Sequence, residues 1–337
     1  MVERSASAQR IASAGSLGRA ACREQMPRAG ARCRLVIMVF MKLSALNALV
    51  AAIDEGSLRG ASRRIGVAQP ALTKLVRELE RELQTTLLQR STTGVTATAQ
   101  GKVLYQHALA ATRELSSAVQ SIKQLGGQMV GQLSVGAVPL AVMLLIPETL
   151  RTFGREFPGI QLQVREELYI AQLGNLRKGD VDIALGPIPD DLPAGEFHVE
   201  TLMPIAMVVV VGKGNPRAKA RSLKQLADAR WVYTSLTGNT GYARMLFEKN
   251  GMAAPSPAAV VNSTLGLLAL IGQGDCVGLM PMQIAIHPAA APFMTVVPIK
   301  EGHLDLTLGV MARGDAMLKP AVGHFITHLH RAVHHLR

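Results

Sequence analysis

Between Ala61 and Arg90 the chain reads ASRRIGVAQPALTKLVRELERELQTTLLQR, and four of its residues, Gln69, Thr73, Lys74 and Arg77, have side chains suited to nucleic acid. A glutamine can bond adenine or another base edge, a threonine can bond a base or touch a thymine methyl, and lysine and arginine reach guanine or phosphate. The aliphatic Leu72, Leu75, Val76, Leu79 and Leu83 recur at helical spacing, which leaves those four polar residues on the opposite side. A merely solvated face would more often mix Glu with Lys, whereas Glu78, Glu80 and Glu82 come after the tip that would enter a groove. Arg63, Arg64 and Arg90 flank the helix and suit phosphate, a contact that fixes register without reading sequence.

Such a tip needs a scaffold, and the flanking sequence supplies one. From Met41 the apolar Leu43, Leu46, Leu49, Val50 and Ile53 predict an amphipathic helix ending near Glu55 and Gly56. Ser57 then suits an N-cap, and a short helix carries Leu58, Ala61 and Ile65 inward before Gly66 stops it. Val67 is expected to plug the core, and Pro70 falls in the first turn of the third helix, where its missing N–H costs little. The pattern is a helix-turn-helix. Short β-prone pieces at Leu87-Leu88 and Val95-Thr96, around Thr93-Gly94, predict a wing.

Leu104, Ala108, Ala111, Leu115, Ala118, Ile122 and Leu125 follow at intervals of 4, 3, 4, 3, 4 and 3 residues, the seam of a two-helix coiled coil. The alternative is that this stripe packs on its own domain. Gly126-Gly127 ends the helix and offers a hinge. From Gln132 onward the strand-like pieces LSVGA, IQLQVREE, VDIALG, MVVVVG, RWVYTS, AAVVN, CVGLM, MTVVPI and LTLGVMA alternate with helical stretches. This is an α/β pattern, favouring parallel sheets with a ligand beyond the carboxyl ends of the strands.

The chain of 337 residues is long enough for two or three domains, and its formal charge of +12 suits an anionic partner. Seven arginines against Glu3 and Glu24 place +5 of that charge in the first 40 residues. Those residues lack periodicity and a signal-peptide core, and they read as a disordered arm, a transit peptide or a start assigned ahead of Met38 or Met41; the last is favoured. Apolar runs such as Met203 to Val211 are too short for a membrane span and read as buried strands. Cys22, Cys33 and Cys276 make no disulfide framework, so a reducing cytoplasm fits, and Cys276 reads as a buried strand thiol.

In this order of elements the chain, from Met41 almost to its end, resembles the LysR-type transcriptional regulators. The specific matches are the helix-turn-helix stretch above, TATAQG, GQLSVGA, LIPETLRTFGREFPGIQLQV, LRKGDVDIALG and GQGDCVGLMP. The resemblance implies an α plus α/β chain: a winged helix-turn-helix at 41–99, a linker and dimerisation helix at 100–127, and a periplasmic-binding-protein-like effector domain at 132–337. That domain would have two Rossmann-like subdomains, one of about 132–204 with 299–337 and one of about 205–298, with 1–40 an extension. The implied partners are double-stranded promoter DNA, a small-molecule effector, a second or fourth copy of the chain in a homodimer or homotetramer, and RNA polymerase; no membrane and no cofactor are expected.

On the same resemblance Gln69, Pro70, Thr73 and Lys74 fall where the family contacts bases or the adjacent backbone, and Val138, Pro139, Leu140, Gly186, Thr234, Ser235, Thr237 and Thr264 fall around the effector. Relatives often carry hydroxyls after the first strand, but here the lip Ala137-Val138-Pro139-Leu140-Ala141 is apolar. Thr234, Ser235 and Thr237 keep their hydroxyls, so the expected effector has a hydrophobic body and one acidic group, as in an organic acid, an aromatic acid or a sulfonate. The alternative is that these hydroxyls cap a helix starting near Thr240. The family also usually has Ser at Ala68, Gly at Gln84, Phe at Leu88 and Leu at Ala97.

Three rival classes leave traces. For an enzyme, Asp180 and Asp182 read as a turn and a strand edge, while GQGDCVG and GNTG match no phosphate or nucleophile motif. For a metal-responsive regulator, His324 and His328, or His330 and His334, are four apart on the last helix, but solvated histidines at a frayed end are the expectation. A solute-binding protein would share the α/β half but would need export, which the first hundred residues contradict.

Overall fold

The computed structural model describes residues 41–91, 94–167, 169–234, 241–314 and 318–336, without the side chains of 169–171. It divides into two compact units, one reaching Tyr105 and the other starting at Gln106. The cysteines Cys22 and Cys33, and everything expected of the first 40 residues, lie outside the described residues.

In the first unit α1 (Leu43–Asp54), α2 (Leu58–Ile65) and α3 (Gln69–Leu83) surround a core of Leu49, Ala61, Leu72, Val76, Leu79 and Leu87. Of the apolar row that periodicity suggests for α1, Leu49 is buried and Leu46 and Ile53 pack against the core, but Leu43 is exposed and Ala45, Ala48, Ala51 and Ala52 supply the rest of the buried face. Small side chains there let α1 approach its neighbours closely. Ser57 caps α2, its hydroxyl accepting from the Gly60 N–H at 3.0 Å, and Gly66 closes it at φ 71°, where a side chain would be strained. Val67 does not plug the core. It is 37% exposed, because the chain leaving the left-handed Gly66 uses the Val67 N–H, bonded to the Ser62 carbonyl at 3.1 Å, to close the helix.

Glu80, which follows the tip, turns the chain into the wing. Its carboxylate accepts from the N–H groups of Leu87 and Leu88 at 2.9 and 3.2 Å. Strands β1 (Leu88–Ser91) and β2 (Gly94–Ala97) pair antiparallel, and the Val95 N–H bonds the Gly56 carbonyl at 2.7 Å. In TATAQG, Thr98 starts α4 (Ala99–Leu125): its hydroxyl accepts from Gly101 N–H at 2.9 Å and donates to the Thr86 carbonyl at 2.7 Å. Only glycine fits at 101, since a Cβ would lie 2.0 Å from the Leu87 carbonyl oxygen.

The second unit holds one nine-stranded sheet. Its strands are β3 (Gly131–Ala137), β4 (Ile160–Glu166), β5 (Ile183–Pro187), β6 (Phe197–Gly212), β7 (Arg230–Thr234), β8 (Ala259–Val261), β9 (Cys276–Pro281), β10 (Met294–Val296) and β11 (Leu304–Arg313). The order is β4-β3-β5-β11-β6-β9-β7-β8, with β10 on β6. All nine strand-like pieces of the sequence are strands, and Cys276 is buried in β9. The expectation of parallel sheets needs correction: β3 pairs parallel with β4 and β5, and β7 with β8 and β9, but β11 and β6 are antiparallel to each other and to β5 and β9 respectively. Two long strands running through the middle of the domain in opposite directions cannot belong to βαβ units, and their register shifts at Leu308/Gly309.

Helices α5 (Pro139–Leu144), α6 (Ile146–Glu156), α7 (Tyr169–Arg177), α8 (Tyr242–Lys249), α9 (Thr264–Gln273), α10 (Met282–Ala285) and α11 (Pro320–His335) cover the sheet. Asp180 pairs with Arg113 of α4, and Asp182 accepts from the Ser134 N–H at 2.9 Å and from Lys319 at 2.6 Å, so both carboxylates have structural partners. Gln124, 4% exposed, fastens the end of α4 by accepting from the Ala321 N–H at 3.2 Å and donating to the Val130 carbonyl at 3.3 Å. Among the described residues no helix is long and apolar enough to cross a membrane.

Candidate DNA-reading face and effector cavity

The α3 helix has two faces. Leu72, Val76 and Leu79 are buried, while Gln69, Pro70, Lys74 and Arg77 are exposed and Thr73 is half-buried at the edge of the exposed side. The structure thus brings the predicted tip together in the first turns of the helix, where free N–H groups add positive potential for phosphate. No side chain caps that end, because its N-cap is Ala68. Arg63 and Arg90 are exposed. Arg64 is engaged within the unit: its guanidinium lies 2.8 Å from Asp54 and 3.6 Å from Glu55, and Tyr105 donates to the same Asp54 at 2.6 Å.

The seven seam positions of α4 separate into two groups. Leu104 packs against the core of the first unit and Ala108 is buried, so here the stripe is used by its own chain. Ala111 and Ala118 are exposed, as are Leu115, Ile122 and Leu125 at 51, 68 and 65%. Val119 joins them at 53%, an addition that the strict seam spacing passed over.

A cavity of about 90 Å³ opens where β3, β5, β7 and β9 end. Val138, Pro139 and Leu140, from the turn between β3 and α5, form one wall together with Pro187. Thr234 at the end of β7 and Thr264 at the start of α9 stand among the aliphatic Ile205, Met207, Leu267, Leu279, Met280 and Ile284, with Tyr242 and Pro281 completing the lining. Gly186 immediately precedes Pro187 in β5 but is not part of the wall. Ser235 and Thr237 lie outside the described residues, as does the proposed cap near Thr240. Ser263 caps α9, accepting from the Gly266 N–H at 3.3 Å. Burial pushes the Tyr233 phenol up, and it remains a donor to the Pro255 carbonyl at 2.7 Å, which holds the end of β7.

Sequence reasoning missed most of the second wall. The carboxyl end of β9, in GQGDCVGLMP, was a usable signal for Met280 and Pro281, since ligands sit at such ends. Ile205 and Met207 gave none, being indistinguishable in the sequence from the rest of an apolar run.

The terminal histidines also need correction. His324 and His334 are exposed as expected, but His328 is 3% exposed, 2.8 Å from the Thr152 hydroxyl and 3.1 Å from Glu156, and packs edge-on against Phe153. His324 lies against the Phe157 ring, and His330 is 2.8 Å from Glu200. They are held because α11 buries a full face, including Phe325, Ile326 and Leu329, rather than fraying. Among the described residues no group of three or more His, Cys, Asp or Glu is placed to hold a metal ion.

Residues 43–102 match the family model described as the bacterial regulatory helix-turn-helix protein, lysR family, and residues 126–333 match the LysR substrate binding domain. The chain is 25% identical over 252 residues to the HTH-type transcriptional regulator TdcA of Escherichia coli K12, covering 74% of this chain and 80% of that one. It is likewise 25% identical over 285 residues to the HTH-type transcriptional regulator GbpR of Azospirillum brasilense, covering 83% of each. The fold is that of full-length CbnR, solved in complex with its target DNA, with a TM-score of 0.65 at 20% identity over 86% of this chain and 99% of that one. Helix-turn-helix, wing, long helix and mixed α/β domain follow in the order those two family models require, and the chain belongs to the LysR family: it is a DNA-binding transcriptional regulator with a substrate-binding domain, and not an enzyme.

Proposed function

We propose that this regulator binds double-stranded promoter DNA as a homodimer or homotetramer, and that an organic acid with an apolar body, aromatic or aliphatic, binds in its second unit and sets its activity toward RNA polymerase. The observation that carries the DNA reading is the division of α3 into a buried aliphatic face and an exposed face of Gln69, Pro70, Thr73, Lys74 and Arg77. Gln69, Thr73, Lys74 and Arg77 read base edges, while Arg63 and Arg90 hold phosphate. Arg64 serves chiefly Asp54, and a phosphate contact would require it to give up that pair. The exposed Leu115, Val119, Ile122 and Leu125 of α4 support pairing with a second copy, because an aliphatic stripe on a long helix is stabilised by covering it. The cytoplasm is the compartment in which promoter DNA is met.

For the effector, the apolar lip at Val138 to Leu140 supplies the body's contacts, and Thr234, Thr264 and the N-terminus of α9 supply donors for an acid group. Subdomains of about 132–204 with 299–337 and of 205–298 close on it.

An electrophoretic shift assay tests the reading. Wild-type protein retains its own promoter against shuffled competitor, salt weakens the complex, and Thr73→Ala with Lys74→Ala lowers selective affinity about a hundredfold. Equal retention of shuffled DNA by the wild type would refute it.

A further inference from the structure

Within the second unit, β5 has a cavity at each end. The effector cavity lies beyond its carboxyl end, at Pro187, and a second cavity of about 100 Å³ begins at Asp182, the residue before its amino end. This second cavity lies against the later half of α4 and exceeds the space that a single water needs. Where the effector cavity is aliphatic, this one is polar. Glu114, Ser117 and Ser121 line it from α4, and Asp182, Arg313 and Lys319 from the sheet and the start of α11.

The charges balance and are paired, but each pair leaves groups open. Lys319 Nζ donates to Asp182 Oδ1 at 2.6 Å, while the other oxygen of that carboxylate accepts from the Ser134 N–H at 2.9 Å. Arg313 Nη2 donates to Glu114 Oε2 at 3.0 Å. An ammonium and a guanidinium each carry more N–H groups than one such bond uses. The Lys319 side chain is only 13% exposed, so its remaining N–H groups have little water to bond and are costly unless something in the cavity accepts from them. On the α4 wall, Ser121 donates its hydroxyl to the Ser117 carbonyl at 3.0 Å, which leaves the Ser121 oxygen to accept, and Glu114 Oε1 is an acceptor as well. Open donors thus stand on the sheet side of the cavity and open acceptors on α4.

We propose that this cavity is a second ligand site, and that its ligand is a small zwitterion, such as an amino acid, whose carboxylate meets Lys319 and Arg313 and whose ammonium meets Glu114 and Ser121. An acid without the ammonium would face the Glu114 carboxylate and leave the α4 acceptors bare; an amine without the carboxylate would leave the donors of Lys319 bare. Because the two sets of groups belong to different elements, the bound zwitterion ties α4 to β11 and α11. The site is separate from the effector cavity and does not depend on what that cavity holds.

Calorimetric titration of the full-length protein tests it with glycine, β-alanine and γ-aminobutyrate, each against the acid that lacks its amino group and the amine that lacks its carboxyl group. At least one zwitterion binds the wild type about tenfold tighter than either. Failure of all three to bind, or equal affinity for the acid or the amine, overturns the ligand class. Glu114→Gln, at an exposed position and with the shape kept, raises the dissociation constant of that zwitterion about tenfold. Lys319→Met with Asp182→Asn, which removes the less exposed pair together, does the same; should that variant fail to fold, Arg313→Gln is read by the same ratio. Thr264→Val, in the effector cavity, leaves the zwitterion's affinity as it was. Binding that survives both Glu114→Gln and Arg313→Gln, or that is lost with Thr264→Val, overturns the site. On binding, backbone hydrogen exchange slows in α4 between Glu114 and Gln124, and unchanged exchange there overturns the tie.

Discussion

The proposed recognition helix and the proposed effector cavity are built in opposite ways. In α3 the proposed functional groups are polar, lie at or beside one exposed face and are carried on a single helix, and the aliphatic residues beneath them only hold the helix in place. In the cavity most lining surface is aliphatic, and it is gathered from α5, β5, β6, β7, α8, α9, β9 and α10 across more than a hundred residues of sequence. A duplex is a fixed, highly charged object that one helix can meet; a small ligand must be enclosed, and one segment cannot enclose it. It follows that substitutions beneath α3 act through stability, whereas substitutions around the cavity act through affinity.

The largest expected effect is that of Leu72→Ala. Leu72 is fully buried under α3, and its truncation costs about 3 kcal/mol, read in denaturant titration as early unfolding of the first unit with loss of promoter binding. Acid binding to the second unit should be unchanged; an equal loss there would break the contrast. Next, Thr264→Val removes a hydroxyl without changing shape and weakens acid binding about tenfold by calorimetry, leaving promoter binding without acid as it was. Ala68→Ser supplies the missing N-cap of α3 and adds about 1 kcal/mol to the first unit, seen as a higher denaturation midpoint. The smallest change is Gln84→Gly: Gln84 closes α3 at φ 51°, a conformation that disfavours side chains, and glycine there gains about 0.5 kcal/mol after its entropic cost. If either of these last two substitutions altered selectivity among promoters, the helix would be doing more than holding its tip.

The legibility of the two regions differed for the same reason. Helical spacing in residues 69–83 identified α3, its buried row and its exposed tip, because the period of a helix is written in consecutive residues. The same reasoning erred on Leu43 of α1, which is exposed while alanines complete the buried face, and on Val67, whose role is carried by its backbone N–H. Glu80 was grouped with its acidic neighbours, although its carboxylate is committed to the wing. In the second unit every strand was visible as an apolar piece, yet the directions of β6 and β11 were not, since alternation with helices does not encode which strands pair. The α11 histidines followed the same rule: their spacing was plain, but the phenylalanines and Glu156 that hold them come from α6.

By itself the sequence determined the elements, the caps and breaks between them, the polar tip of α3 and the stripe along α4, all of which depend on neighbours a few residues apart. Only the tertiary structure decided which half of that stripe its own chain uses and how β11 and β6 join the sheet into one. Those outcomes are set by packing between segments far apart in the chain, where a side chain's partners are chosen by topology and not by its place in a local repeat.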